Sequence, residues 1–579
     1  MTAQSIPEAF LEAAEKFGRH TVFLYKKDNV YFPITYRELA EKVRIFAVGL
    51  NKFGVEKGDR VAILSENRPE WAIADLAAML VGAVVVPLHI TFSPQAIHNI
   101  LEHSEAKIVV VSNSNLLNKI LLNASEPGRL EKIVLIERSS DIEKNALPGK
   151  IFNWDWVLSH NDSNLHGKTP LRADDICSIV YTSGTTGEPK GVMLTHNNFL
   201  SNVRAVTQSI AIKTSDIFLS FLPLSHVLER LAGYYIPLLS GATIAYAENV
   251  KQLPFNLKEV KPTILISVPR IFEKMYEAVW EKVKASPRKK KIFLWALRQK
   301  NNSLRQKLAD YLVFRKVRAQ LGGKLRLTVS GGATLNEKIA RFFFKIGITV
   351  LEGYGLTETS PVVAVNSQDD FKFGAVGKVV PGVEVKISAD KEILVKGPNV
   401  AKGYYKNSAA TGEMFNGEGW FKTGDLGFLD KDGFLTIIGR RKEMLVTSGG
   451  KNVWPEAIES ELNKDRFIVG SIVLGNKRKF VGALIAPDWQ KVEQFLKESN
   501  MPLQPPEQLV NNKALLDFFH LRIDEKINPN LSDYENIRAF KLLPYDFSQE
   551  RGELTPTLKL RRHIIEQHYK AEIADLFGE

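Results

Sequence analysis

The stretch Tyr181-Thr182-Ser183-Gly184-Thr185-Thr186-Gly187-Glu188-Pro189-Lys190-Gly191 sets one Ser, three Thr and three Gly around a single Lys. Small hydroxyls and bare backbone N–H groups wrap an anion closely, and Gly lets the main chain approach without a Cβ. The Lys adds a compact positive charge that suits phosphate. Composition alone describes a surface loop. Here, however, two apolar runs that read as strands, Ile176 to Val180 and Val192 to Leu194, hold the stretch at both ends. A loop pinned in this way reads as a phosphate cradle. It is not a P-loop. That motif needs Gly, four residues, then Gly-Lys-Ser/Thr, whereas the fifth residue after Gly184 is Pro189. Pro189 also forbids a helix running straight out of the glycines.

Three further constellations suit a nucleotide. Ser330-Gly331-Gly332-Ala333 follows the apolar run Leu325 to Val329. A Gly pair at the end of a strand lets a flat ring lie against backbone, though the same letters describe a tight strand-to-helix turn. In Glu352-Gly353-Tyr354-Gly355-Leu356-Thr357-Glu358-Thr359, an aromatic between two Gly can offer its face to a purine. The Thr357-Glu358 pair can help hold a Mg²⁺ that bridges phosphates; otherwise it is a capped helix start. Thr423-Gly424-Asp425 places a carboxylate after a Gly turn, where it can accept both ribose hydroxyls or simply close a turn. His226, alone on the apolar stretch Phe221 to Arg230, reads as structural on its own, and Lys559 reads as part of a solvated basic face.

Together these segments resemble the adenylate-forming superfamily of acyl-CoA synthetases, luciferases and peptide-synthetase adenylation domains. Residues 181–191 match its phosphate loop, and Tyr354 to Glu358 its Tyr-Gly-Leu/Met-Thr-Glu signature. The resemblance implies ATP contacts from Thr182, Ser183, Gly184, Thr185, Thr186, Gly187, Lys190, Gly331, Gly332, Glu352, Gly353, Tyr354, Thr357, Asp425 and Arg440. It implies Mg²⁺ on Glu358 and Thr182. Asp425 would hold the ribose of ATP, and Arg440, in Gly439-Arg440-Arg441-Lys442-Glu443, ribose or phosphate. Lys442 falls on the interdomain hinge, and Gly449 and Gly450 line the approach of a thiol substrate, CoA. Leu554 to Arg562 aligns with the segment that ends Gly-Lys-x-x-Arg, which makes Lys559 the catalytic lysine. Leu558 stands where that Gly is usual, a departure that long-chain members share. His226 and Arg230 match an acyl pocket, with His226 also a candidate catalytic residue. The run Leu228-Glu229-Arg230 and Val268 to Lys274 point to the long-chain fatty acyl-CoA synthetases.

The chain has 579 residues, 44% of them apolar, which argues for more than one domain. Apolar runs at Arg60 to Leu64, Lys107 to Val111, Lys132 to Ile136 and Ile264 to Val268 alternate with helical text, as expected of α/β layers with largely parallel sheets. From about Gly374 short strands and Gly turns predict a small antiparallel β unit. The expected organisation is a large α/β domain over 1–439, its β unit at 375–439, a hinge over 440–452 and a smaller, mobile α/β domain over 453–579. Pro502 to Glu507 and Asn528 to Asp533 bracket an expected helical insertion in the last of these. A single cysteine, Cys177, rules out an internal disulfide and fits a reducing, cytoplasmic setting. It reads as a small buried hydrophobe. Trp71 to Ile90 is read as a buried helix feeding a strand rather than a membrane span.

The formal charge is +12. A basic surface attracts polyanions such as ATP and CoA, nucleic acid or anionic lipid; no nucleic-acid-binding motif is present. Residues 282–300 concentrate Lys and Arg beside Ile292, Phe293, Leu294 and Trp295. That pattern suits either a solvated helical hairpin or the edge of an anionic membrane, on the inner face of which the protein would sit peripherally. The reaction implied is ligation of a long-chain fatty acid to CoA through acyl-AMP, which needs no protein nucleophile and so agrees with the missing Ser-His-Asp and Cys-His patterns. Alternatives are transfer to a carrier-protein thiol, a different acid, a nucleotide-binding regulator, or a membrane scaffold.

Overall fold

The computed structural model describes residues 3–122, 129–138, 149–159, 170–182, 189–300, 303–555 and 559–578. The chain packs into two units. The first comprises 1–386, 394–423 and 429–436, the second 387–393, 424–428 and 437–579.

The first unit holds a predominantly parallel sheet whose order is Gly403–Tyr404, Lys190–Thr195, Ile176–Thr182, Val84–Leu88, Arg60–Leu64, Ala106–Val111, Lys132–Leu135 and Ile151–Asn153. The Val- and Ile-rich runs fall on its central strands, as expected where helices cover both faces. Leu64, Val86, Val109, Ile133 and Ile179 join Ile97, Ile100 and Leu117 from the flanking helices in one buried cluster. Only Ile176–Thr182 with Lys190–Thr195, and that strand with Gly403–Tyr404, pair antiparallel.

A second sheet runs Gly377–Val379, Val362–Val365, Thr349–Gly355, Leu327–Ser330, Ile264–Ser267, Ile217–Ser220, Thr243–Tyr246, Thr21–Lys27 and Val30–Thr35. Its middle pairs are parallel, Ile264 opposite Leu327 and Leu327 opposite Thr349. Beyond Gly377–Val379 the order continues through Phe434–Arg440, Phe421–Leu429, Glu392–Lys396 and Glu384–Ile387, the short strands expected after Gly374.

The run Trp71 to Ile90 is a buried helix, Pro69–Leu80, and a buried strand, Val84–Leu88. The helix carries a charge, Asp75, that no solvent reaches. Arg230, equally buried, answers it. The guanidinium donates to Asp75, to Ser178 Oγ at 2.7 Å and to Tyr235 Oη at 3.0 Å, while Tyr235 donates to Asp75 Oδ2 at 2.9 Å. A charge pair survives such burial only when its remaining donors and acceptors are satisfied, as they are here. Cys177 is buried in the strand beside this network, and burial pushes its thiol well up, so it behaves as the small hydrophobe expected.

The second unit has a three-stranded sheet. Ile468–Leu474 pairs antiparallel with Val481–Pro487, which pairs parallel with Ile537–Leu542. Helices Pro506–Leu509 and Lys513–Arg522 fall within the helical insertion read from the sequence, and Trp489–Glu498 precedes them in the same long crossover. Residues 440–452, read as a bare linker, carry more structure than expected. Arg441–Glu443 forms one 3₁₀ turn, and Leu445–Val446 pairs with Asn452–Val453 as a short hairpin. Two β-branched residues and a Gly-containing tip suffice for that pairing.

One buried acid lacks an answering charge. Glu229 opens the π-helical turn Glu229–Tyr235, and neither carboxyl oxygen makes a well-formed hydrogen bond. A Cβ on Gly233 would lie 2.3 Å from Glu229 Oε1, so only Gly leaves room for the carboxyl. Burial raises the Glu229 pKa to about 8, with Ser220 drawing it partly back. The stability owed to the neutral acid is complete below its unfolded pKa and is lost as pH climbs through the folded value. Glu229→Gln, which stays neutral, should therefore gain on the wild type as pH rises from about 5 to about 8, by at most about 4 kcal/mol. Melting temperatures across that range check this, and a pH-independent gap would contradict it.

Candidate active site

In the first unit the predicted residues gather at strand ends. Thr182 is the last residue of its strand and lies opposite Lys190, the first of the next. Its hydroxyl points to Lys190 O at 3.5 Å. Ser183, Gly184, Thr185, Thr186 and Gly187 lie outside the described residues.

The Lys190 ammonium sits 5.2 Å from the centre of the Tyr404 ring. Tyr404 Oη donates to Glu358 Oε1 at 2.9 Å, and Glu358 O accepts from Ala401 N at 2.8 Å. Tyr404 thus links the predicted phosphate lysine to the predicted Mg²⁺ carboxylate. Burial first, and the Glu358 carboxylate second, push its phenol well above the usual range, which fixes it as a donor. Sequence reasoning missed Tyr404. Its only local signal is the aromatic pair after Gly403, and what matters, pairing of Gly403–Tyr404 with Lys190–Thr195, is long-range. Gly403 takes φ +133°, and a Cβ there would approach Thr411 Cγ2 to 2.4 Å.

Glu358 lies in one 3₁₀ turn, Thr357–Thr359, so the helix start considered at Thr357 is only this long. Two buried asparagines brace the turn. Asn399 Nδ2 donates to Thr359 O at 3.0 Å, and Asn202 Nδ2 to Val362 O at 2.7 Å. Gly353 and Tyr354 sit in the strand Thr349–Gly355, paired with Val365 and Ala364. At Gly355 a Cβ would lie 1.8 Å from Pro361 O, so no other residue fits.

Gly331 N donates to Ser267 O at 3.1 Å, and Leu228 packs so closely that a Cβ on Gly331 would meet its Cδ2 at 3.0 Å. Gly332 has φ +86°, the left-handed region. Glu352, predicted to touch ATP, is buried and accepts from Leu335 N at 3.3 Å, which ties it to the loop after Gly332. Burial raises its pKa to about 7, against those backbone donors.

His226 ends the turn Pro223 to His226 and accepts on Nδ1 from Leu228 N at 3.3 Å. Asn67 staples the segment before it, donating to Leu222 O at 2.6 Å and accepting from Leu224 N at 3.0 Å. Arg230, expected with His226 at an acyl pocket, spends its guanidinium on Asp75, Ser178 and Tyr235 instead; its charge is used by the core.

In the second unit Asp425 and Arg440 form an ion pair, Nε to Oδ1 at 2.9 Å. Lys559 belongs to the same cluster. Burial lowers its pKa, and nearby Arg440 lowers it further, against the pull of Glu456, Asp425 and Glu443. The last carboxylates are held too, for Arg562 donates to both oxygens of Glu459 at 2.7 Å and lies 3.7 Å from Glu443. Glu456 is a second residue that sequence reasoning left without a role. Burial raises its pKa, and its field reaches Lys559. Lys442 is exposed on the 3₁₀ turn beside Arg441, which is tied to Asp390 and Glu392. Gly449 and Gly450 form the tip of the hairpin, closed by Thr447 N to Lys451 O at 3.0 Å.

Among the described residues no group of three or more His, Cys, Asp or Glu could hold a metal alone. A single half-buried carboxylate such as Glu358, next to hydroxyl-bearing residues, suits Mg²⁺, which keeps much of its shell as water and phosphate oxygen.

A large α/β unit followed by a small one, with these segments at its strand ends, is the architecture of adenylate-forming enzymes. The AMP-binding enzyme family matches residues 10–405, and the AMP-binding enzyme C-terminal domain matches 442–579. The chain belongs to the AMP-binding enzyme family. It is 38% identical to the long-chain-fatty-acid–CoA ligase FadD15 of Mycobacterium bovis, over 95% of this chain and 93% of that one. It is 28% identical to the long-chain-fatty-acid–[acyl-carrier-protein] ligase AEE15 of Arabidopsis thaliana, over 99% and 87%. A crystal structure of the anthranilate CoA ligase AuaEII with anthranoyl-AMP superposes with TM-score 0.77 over 98% of both chains, at 21% identity, which speaks for the fold.

Tyr404→Phe keeps the ring under Lys190 and removes the hydroxyl that holds Glu358. Acid-dependent ATP–pyrophosphate exchange should fall about tenfold, as for loss of one hydrogen bond to a charged group. The Mg²⁺ concentration giving half-maximal rate should rise with it. Unchanged exchange and unchanged Mg²⁺ dependence would remove Tyr404 from the site.

Proposed function

We propose that this protein is an AMP-forming long-chain fatty acid–CoA ligase, consuming ATP and releasing AMP and pyrophosphate. The observation that carries the reading is the near full-length similarity to a long-chain-fatty-acid–CoA ligase, 38% identical over 95% of this chain.

A carboxylate is a poor acyl donor because its leaving group would be oxide. In the first step its oxygen attacks the α-phosphorus of ATP, and pyrophosphate departs. Cationic and hydrogen-bonding groups must neutralise the triphosphate while this happens. Lys190 and the segment 182–187 bind the phosphates, Asp425 and Arg440 the ribose, and Gly331, Gly332 and Tyr354 the purine. Glu358, with Thr182, holds Mg²⁺, which supplies charge stabilisation at the phosphate oxygens. Lys559 adds a positive charge at the departing oxygen. Its lowered pKa marks a partly desolvated ammonium, whose interaction with phosphate is correspondingly strong.

In the second step the CoA sulfur attacks the acyl carbonyl and AMP leaves with the electron pair. Lys559 has no task there. Rotation of the C-terminal unit at Lys442 withdraws it and brings Gly449 and Gly450 to the thiol's path, a hinge in which a few residues absorb the change. His226 lines the acyl side of the site.

No helix among the described residues is long and apolar enough to cross a membrane. A cytoplasmic enzyme, peripheral on the inner membrane face through the basic residues 282–300, is part of this reading. A second reading hands the acyl group to a carrier-protein thiol, favoured by the similarity to AEE15.

Pyrophosphate release should rise with chain length in a panel of acids from acetate to oleate, and acyl-CoA should form only when CoA is present. Maximal turnover on acetate would overturn the substrate class, and acyl-AMP that persists with CoA but is consumed by a carrier protein would favour the second reading. Lys559→Ala should cut acyl-AMP formation by about 10²–10³. It should leave thioester formation from supplied acyl-AMP within about twofold of wild type, since equal loss in both half-reactions would refute the role.

A further inference from the structure

Residues 282–320 contain thirteen Lys and Arg and one acid, Asp310, a net of +12. The whole chain has 77 basic and 65 acidic residues, so the remainder holds 64 of each. The entire formal charge of the protein therefore resides in this one segment. Asp310 pairs with Arg318 at 2.6 Å, which leaves the other twelve Lys and Arg of the segment to carry that charge.

The segment is helical. Lys282 and Lys284 end the helix Pro269–Lys284, and Pro287–Leu297 follows as its hairpin partner, as one of the two sequence readings expected. A third helix runs from Leu304–Ala309 through the π-turn Asp310–Phe314 into Arg315–Gln320. It packs against Pro287–Leu297. Its inward positions are Ala309 and Phe314, both buried.

The outward positions include large apolar side chains beside the basic ones. Leu304 is 83% exposed, Leu308 49%, Tyr311 66% and Leu312 42%, at spacings of four, three and one residues along the helix. Ile292 on the packed neighbour is 50% exposed. Scattered surface leucines need no explanation, but a row of large apolar side chains on one helix is a patch that water disfavours. Arg305, Lys307, Arg315 and Lys316 flank the row, all exposed.

The occupant must therefore be anionic outside and apolar inside. A second copy of this face fails the first condition, since like charges repel. A nucleic acid meets the first condition but offers no interior to Leu304, Leu308 and Leu312. An anionic lipid bilayer meets both: basic side chains reach the headgroup phosphates while an apolar helix face lies at the acyl boundary. We propose that the face formed by residues 287–297 and 304–316 docks on an anionic membrane surface, with Leu304, Leu308, Tyr311 and Leu312 buried in the headgroup region. This deepens the peripheral position proposed above and moves its centre to a helix outside 282–300, although neither the charge nor the apolar row depends on the ligase reading.

Full-length protein is sedimented with vesicles of phosphatidylcholine alone or mixed with phosphatidylglycerol. Wild type should pellet with the mixed vesicles, stay soluble with the neutral ones, and release as salt rises. Leu308→Glu with Leu312→Glu should weaken partition about tenfold. Lys289→Glu, Lys290→Glu and Lys291→Glu together change about six charges and should weaken it about 10⁴-fold, at about one kcal/mol per charge. Both sets lie on the exposed face, so melting temperature and pyrophosphate release with a short, water-soluble acid should match wild type. Equal pelleting with both vesicle types, full partition by the Leu308/Leu312 variant, binding to duplex DNA in preference to vesicles, or dimers that the variants dissolve would each overturn the proposal. A wild type that pellets as expected yet releases no pyrophosphate with any acid would sink the ligase reading and leave the docking intact.

Discussion

The two-residue edge strand Gly403–Tyr404, annealed to Lys190–Thr195, is the constraint that ties Lys190 to Glu358. It places one phenol between an ammonium and a carboxylate that come from distant parts of the sequence. With it, the ring supports the cation and the hydroxyl orients the acid. Catalysis by electrostatics depends on donors being in place before charge develops, so a rigid link of this kind matters more than the number of charges.

The core obeys the same logic with a fully buried charge pair. Asp75 and Arg230 are held by Ser178 and Tyr235, so the strand carrying Thr182, the helix Pro69–Leu80 and the turn after His226 are joined by one polar network. Asn67 performs a similar task for the segment before His226. Glu229 contrasts with its neighbour Arg230. Lacking a cation, it stays buried by staying neutral, and Gly233 makes room for it.

In the C-terminal unit several charges gather around Lys559. Asp425 and Arg440 balance each other, Arg562 takes up Glu459, and Glu456 partly offsets the cost of burying Lys559. Burial and Arg440 depress the Lys559 pKa, and the surrounding acids oppose that shift. The hairpin of Leu445–Val446 with Asn452–Val453 folds a segment whose charge and Gly content read as a linker.

Local pattern determined much of this protein. Apolar runs placed the strands Arg60–Leu64 and Glu392–Lys396 to the residue, because a buried strand needs an unbroken or alternating apolar face that periodicity displays directly. Gly332 and Gly355 mark tight backbone, the first because its φ is positive and the second because a Cβ has no room. The chemical letters at 181–191, 354–358 and 554–562 were legible because each lies contiguously in the chain. Tertiary structure alone decided the rest. Tyr404 joins Lys190 to Glu358 only once strands far apart in sequence pair. Arg230 turned out to serve Asp75, because a buried charge must find its counter-charge wherever the fold supplies one. The apolar row at 304–312 was invisible because leucines spaced along a helix look like core until burial shows which face water touches.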